Sequence, residues 1–141
     1  MKILKFMLCI AFVPLLWSST LTFADTVVVI HPSNSAALDE ATVKKIFLGK
    51  IKSFPGGGPA VPISRNEGSA SRAEFDKNVL GKSSSQIKAY WSKLVFTGKG
   101  TPPKEVDNDE EVKTLVSSNP NIIGYLDSAQ VDDSVKVIFS F

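Results

Sequence analysis

One stretch of this chain combines residue types and spacing that can hold an anion: Arg65-Asn66-Glu67-Gly68-Ser69-Ala70-Ser71. It follows a short apolar run, Ala60-Val61-Pro62-Ile63, that reads as a buried strand. It precedes Arg72 to Leu80, which reads as a helix stopped by Gly81. A strand, a Gly/Ser turn and a helix in that order aim unpaired backbone N–H groups and the positive end of a helix dipole at one point. Arg65 at the strand end offers a planar fork of donors matched to phosphate or carboxylate oxygens. Glu67, two residues on, is placed to hold that guanidinium. Gly68, Ser69, Ala70 and Ser71 supply amides, and the two serines add hydroxyls. Ser71-x-x-Glu74 has the spacing of a capping box. The plainer alternative is a Ser/Gly helix cap beside a surface arginine, and caps are commoner than anion sites.

The elements that must position this turn follow from the hydrophobic pattern. Thr26-Val27-Val28-Val29-Ile30 is a β-branched run, read as a fully buried strand. His31-Pro32-Ser33-Asn34-Ser35 ends it with turn residues. Asp39 is the expected N-cap of a helix reaching Leu48, with Val43, Ile46 and Phe47 on one face and Gly49 as its stop. Pro55-Gly56-Gly57-Gly58-Pro59 is a connector; with no GK[ST] after it, its glycines do not make a phosphate loop. In Ser83–Phe96 the residues Ile87, Tyr90, Trp91, Leu94 and Val95 form a core-facing helical stripe. Phe96 to Pro103 reads as a loop. Asp107 or Asn108 caps a further helix with Val112, Leu115 and Val116 on its buried side. Ile122–Leu126 and Val135–Phe139 read as strands, joined by a polar loop with room for one helical turn.

The order β-α-β-α-α-α-β-β, with strands apolar throughout, predicts an α/β fold whose sheet is covered by helices on both faces. Ligands on such sheets gather beyond the carboxyl ends of strands. Arg65–Ser71 leaves one such end. His31–Asn34 leaves another, which makes His31 a weaker candidate for ligand contact.

Outside the domain, Met1–Ala24 has a basic start, an apolar run from Phe6 to Trp17 and Thr22-Phe23-Ala24 before Asp25. This is the pattern of a cleaved secretory signal peptide. The single cysteine, Cys9, lies inside the apolar run, so no lipid-anchor cysteine is expected. Residues 25–141 then form one cysteine-free domain, without disulfides, thiol chemistry or a Cys-based metal site. The whole chain carries 16 basic and 14 acidic residues, and Lys2 and Lys5 account for the excess. The balanced domain argues against a nucleic-acid or anionic-membrane partner. No Ser-His-Asp layout, HExxH or acidic calcium loop is present, so the expectation is a binding protein without cofactor or metal, not an enzyme.

The central turn resembles the arginine–x–acid–Gly-Ser-Gly-Thr signature of periplasmic phosphate-binding proteins, the substrate-binding subunits of phosphate ABC transporters. Lys44-Lys45-Ile46-Phe47-Leu48-Gly49-Lys50 is similar to the family's "IF-x-G" helix end, and Asn121-Ile122-Ile123-Gly124-Tyr125-Leu126 to its "IGY" strand. Ala70 stands where the family has glycine, Ser71 where it has threonine, and Phe54 near its common tryptophan. The resemblance implies a single lobe of a periplasmic-binding-protein-like fold in the periplasm. Its implied ligand is phosphate or a related oxyanion, held by Arg65, Glu67, Gly68, Ser69, Ala70 and Ser71. The implied membrane partner is an ABC transporter permease. Family members are two-lobed clamshells, and this chain matches one lobe plus the crossover strand, so a homodimer is one way to complete the site. The alternative is a non-transport interaction or sensory module built on the same lobe, contacting a membrane sensor.

Overall fold

The computed structural model describes residues 25–141; the expected signal peptide and Cys9 lie outside them. A five-stranded sheet runs β3-β2-β4-β1-β5, with β1 at Thr26–Ile30, β2 at Val61–Arg65, β3 at Lys104–Val106, β4 at Ile122–Asp127 and β5 at Lys136–Ser140. The helices are α1 (Glu40–Phe47), α2 (Ala70–Asn78), α3 (Ser84–Phe96) and α4 (Asp109–Ser118), with one 3-10 turn at Ser128–Gln130.

Side chains alternate across β1 and β4, and both faces are buried. Val28, Ile30, Ile123 and Tyr125 pack with α1, α2 and α3 through Val43, Phe47, Phe75 and Ile87. Val27, Val29, Ile63 and Leu126 pack on the other face with Val112 and Val116 of α4. Helices therefore cover both faces of an α/β sheet, as the order and apolar character of the strands predicted. Gly124 permits close packing, since a Cβ there would stand 2.9 Å from Val112 Cγ1 and 3.0 Å from Ile63 Cγ1.

Strand direction departs from a simple alternating reading. β2 runs parallel to β3 and β4, whereas β1 is antiparallel to β4, with Thr26 opposite Asp127 and Ile30 opposite Ile123. The end of β1 thus lies at the opposite edge of the sheet from Arg65. His31 is not beside the turn; its Nδ1 bonds the Ser33 amide at 3.0 Å and the Ser33 hydroxyl at 2.7 Å.

Local boundaries follow capping chemistry. The Asp39 side chain accepts from Thr42 N, and Gly49 leaves the helix at φ +70°, as expected. Asn108, not Asp107, caps α4. β2 is shifted from the expected Ala60–Ile63 and continues through Ser64 and Arg65, while Val61 is 46% exposed. β3 was not expected: three residues, two of them charged, pair as an edge with β2. The α3 stripe holds at Ile87 and Trp91, but Val95 is 54% and Phe96 92% exposed. Phe54 of the Gly/Pro connector is buried in the core.

Candidate functional site

β2, β3 and β4 are parallel, so their carboxyl ends share one edge, and α2 and α4 both begin there. The backbone of Arg65 is fixed from below. Its N–H donates to Tyr125 Oη at 3.1 Å, and the same hydroxyl bonds Ser64 Oγ at 2.8 Å. Burial pushes the Tyr125 hydroxyl up to about 12, against the pull of those two bonds, so it stays a neutral anchor. Tyr125 also stacks on Phe75 of α2, with ring centroids 4.1 Å apart. The tyrosine of the "IGY" strand thereby ties the end of β2 to the helix that follows it.

Asn66 N donates to Val106 O, and Gly68 at φ +92° turns the chain, a conformation that side chains rarely adopt. Ser69 is the N-cap of α2: its hydroxyl accepts from Arg72 N at 3.1 Å. The capping box expected at Ser71 and Glu74 does not form, because the helix starts at Ala70 and Ser71 already lies in its first turn. Glu74 instead accepts from Thr26 Oγ1 at 2.8 Å. Among the described residues no protein acceptor takes the amides of Glu67, Gly68, Ala70 or Ser71. Those N–H groups are the orphans of a helix start, and an anion is a natural partner for them.

Arg65 reaches this turn, with a different partner from the one that local spacing suggested. Its Nη1 pairs with Asp109 of α4 and lies 3.5 Å from Ser71 Oγ, while Nη2 donates to Asp107 O at 3.1 Å. Arg65 and Asp109 side chains are only 13% and 19% exposed, and Arg65 Nε is buried without a protein partner. Asp109 Oδ2 also accepts from Asp127 N at 3.3 Å. Glu67 does not hold Arg65; it turns outward to Lys88 Nζ of α3 at 3.2 Å, where both side chains are more than 60% exposed. The fork expected to be offered whole to a ligand is therefore partly engaged. Arg65, Gly68, Ser69, Ala70 and Ser71 come together, and Glu67 marks the turn's outer side.

Arg72 belongs to the scaffold of the site although the motif did not single it out. Its Nη1 donates to Arg65 O at 2.8 Å and to Glu105 Oε1 at 3.1 Å, and its Nε donates to Asp76 Oδ2 at 3.1 Å. Burial pushes the Asp76 carboxyl up, opposed by the Arg72 guanidinium and by the Ser84 hydroxyl that donates to it at 2.9 Å. One arginine thus joins β2, β3, α2 and, through Asp76, α3. The i,i+4 spacing of Arg72 and Asp76 was the available signal. Among the described residues no group of three or more His, Cys, Asp or Glu side chains is arranged to hold a metal ion.

Comparison with known proteins places this geometry in context. The profile of the PBP superfamily domain matches residues 15–137. Among solved structures, a phosphate ABC transporter substrate-binding protein from Clostridium perfringens, with phosphate bound, is similar at 26% identity and a TM-score of 0.64; the match covers 81% of this chain and 44% of that one. An ABC-type phosphate transport receptor from Vibrio cholerae is similar at 21% identity and 0.63, over 81% of this chain and 45% of that one. PstS from Borrelia burgdorferi shares the fold at 17% identity and 0.60, over 81% of this chain and 46% of that one. The chain spans less than half the length of each of these neighbours.

Proposed function

Because the chain belongs to the PBP superfamily domain family, we propose that it binds phosphate or a related tetrahedral oxyanion at the Arg65–Ser71 turn. In this reading it is a periplasmic substrate-binding component associated with phosphate ABC transport. Residues 1–24 act as a cleaved signal peptide without lipid attachment, and the protein performs no catalysis. The observation that carries the reading is the convergence of Arg65, the Ser69 and Ser71 hydroxyls and the unaccepted amides at the start of α2. The phosphate-bound neighbour from Clostridium perfringens supports the choice of ligand.

The binding mode follows from the pairing of Arg65. Arg65 and Asp109 are neutral together, so attraction for an anion comes chiefly from the amides and the helix dipole, with Arg65 as a directional donor. Hydrogen bonds to a charged group contribute about 1.5–3 kcal/mol each, and millimolar binding needs roughly 4 kcal/mol. A handful of such donors reaches the millimolar to high-micromolar range. Calorimetric titration with phosphate, with sulfate as comparison, tests this at several salt concentrations. The wild type should bind saturably, Arg65→Ala should bind more weakly because a donor is lost and the Asp109 charge is left unpaired beside the anion, and Arg65→Lys should recover part. No wild-type binding at tens of millimolar phosphate, or equal affinity in Arg65→Ala, refutes the reading.

The exposed apolar residues Val95 and Phe96 at the end of α3 favour a second reading, in which the lobe is an interaction or sensory module that contacts a membrane partner. Phosphate-independent capture of a permease or membrane sensor, with no phosphate binding by the protein itself, would select it.

A further inference from the structure

We propose that two copies of this chain pair about a two-fold axis through the groove beside α3, with Phe96 of each copy entering the groove of the other. This goes beyond the anion-site reading and does not depend on it. The groove holds about 520 Å³ and is lined by the buried Trp91 and the exposed Val95 and Pro102. Phe96 stands on its rim at the last turn of α3 and is 92% exposed, with Val95 beside it at 54%. The protein thus presents an unburied aromatic knob and an apolar hollow on one face. An isologous contact requires that combination, since the same patch must serve as both partners.

The charges select a copy of the same chain over a strongly acidic or basic partner. The lining includes Glu67 and Glu105 with Lys88 and the largely buried Arg72, and the charges are already paired within the chain, Lys88 with Glu67 and Arg72 with Glu105. The face can therefore meet itself without net repulsion. Lys88 and Glu67 already pair at 3.2 Å within one chain while largely exposed, so they can exchange partners across the axis at little cost. An aromatic side chain buries about 150–250 Å². Two such rings with their neighbours make an interface at the small end of the specific range, roughly below 1,200 Å² in total. The expected dimer is accordingly weak and concentration-dependent. Its placement has a consequence for the turn, because Glu67, on the turn's outer side, lines the groove. A second copy would cover that flank of the turn.

Sedimentation velocity of the purified full protein, from low to high micromolar concentration, tests the proposal alongside two variants. Phe96→Asp removes the knob, and Ser92→Trp fills the hollow from an exposed position. The wild type should shift from one to two chain masses as concentration rises. Each variant should weaken dimerisation by about tenfold or more, as expected for a central aromatic anchor. Both should keep the wild-type melting temperature, and if one does not, the other carries the test. A wild type that stays monomeric overturns the proposal, as does an open-ended series of larger species. A dimer of unchanged affinity in both variants also overturns it.

Discussion

Replacing Asp109 by Asn tests how charge is distributed at the proposed site. Asn keeps the size and one acceptor oxygen of Asp, so Arg65 retains a partner while the negative charge disappears. Both side chains of the pair are mostly buried, at 13% and 19% exposure, so water screens them less than an open surface pair. Two unit charges about 4 Å apart interact by roughly 1 kcal/mol in bulk water and about 4 kcal/mol at an effective dielectric constant of 20. A phosphate held by the amides of Gly68, Ala70 and Ser71 would lie somewhat farther from Asp109 and partly in solvent. Removing that repulsion should therefore favour binding by about 1–3 kcal/mol, or roughly fivefold to 150-fold in affinity.

Stability should move the other way. The variant gives up a charge-assisted bond, worth about 1.5–3 kcal/mol when the acceptor is ionised, for a neutral bond of about 1 kcal/mol. It also loses a carboxylate in the first turn of α4, worth about 0.3–1 kcal/mol against the helix dipole. A net loss of about 1–3 kcal/mol is expected. Calorimetry with phosphate and denaturant unfolding without it measure the two effects separately. Tighter binding by a less stable protein is the expected signature. Weaker phosphate binding in Asp109→Asn, with the fold intact, would mean that the carboxylate itself receives the ligand, and would refute the electrostatic reasoning.

Tyr125→Phe should alter the alkaline limb of stability. Tyrosine in the unfolded chain ionises near its ordinary 10, and in the fold only at about 12, so the fold loses stability as pH rises through that interval, by up to about 2–3 kcal/mol. The variant should lack this component in urea titrations from pH 9 to about 12, on a baseline lowered by about 1–3 kcal/mol because buried Ser64 loses a partner. Gly124→Ala should cost about 1–3 kcal/mol, seen as a lower denaturation midpoint, because the new methyl meets Val112 and Ile63 near or below 3.0 Å. Glu67→Ala should change stability by less than about 1 kcal/mol, since its ion pair with Lys88 is largely exposed. It should leave Arg65 in place, so a large drop in its phosphate affinity would show that Glu67 acts on the ligand by another route.

The sequence was most informative where chemistry is local. The β-branched run of β1, the Asp39 cap, the positive-φ Gly49 and the strand–turn–helix at Arg65 all declare themselves within a few residues. It was least informative about partners and directions. An apolar run has no direction in its composition, so nothing in Val27–Ile30 revealed that β1 lies antiparallel to β4 and carries His31 to the far edge. Arg65 pairs with Asp109, 44 residues away, whereas spacing along the chain could offer only Glu67. Ser69 and Ser71 are chemically alike as caps, and the turn geometry at Gly68 decides between them. β3 escaped because three residues with two charges carry no periodicity.

Those long-range features explain why a ligand should choose one helix end over another. Two helices begin at the edge where β2, β3 and β4 end, and each presents the positive end of a dipole there. α4 carries Asp109, Glu110 and Glu111 in its first turn, so its own side chains already occupy that field. α2 has no acidic residue in its first turn and begins Ala70-Ser71, leaving its amides unanswered by the described protein groups. Arg65 lies between the two, bound to the carboxylate of α4 and within reach of the Ser71 hydroxyl on α2. The ion pair holds the guanidinium at the rim of the open helix end, so at the proposed site an oxyanion would meet a donor already in position. The same pair also limits the net charge that attracts the anion. A site built this way gains orientation at the expense of raw attraction, and its affinity should respond to the amides and hydroxyls of α2 as strongly as to Arg65 itself.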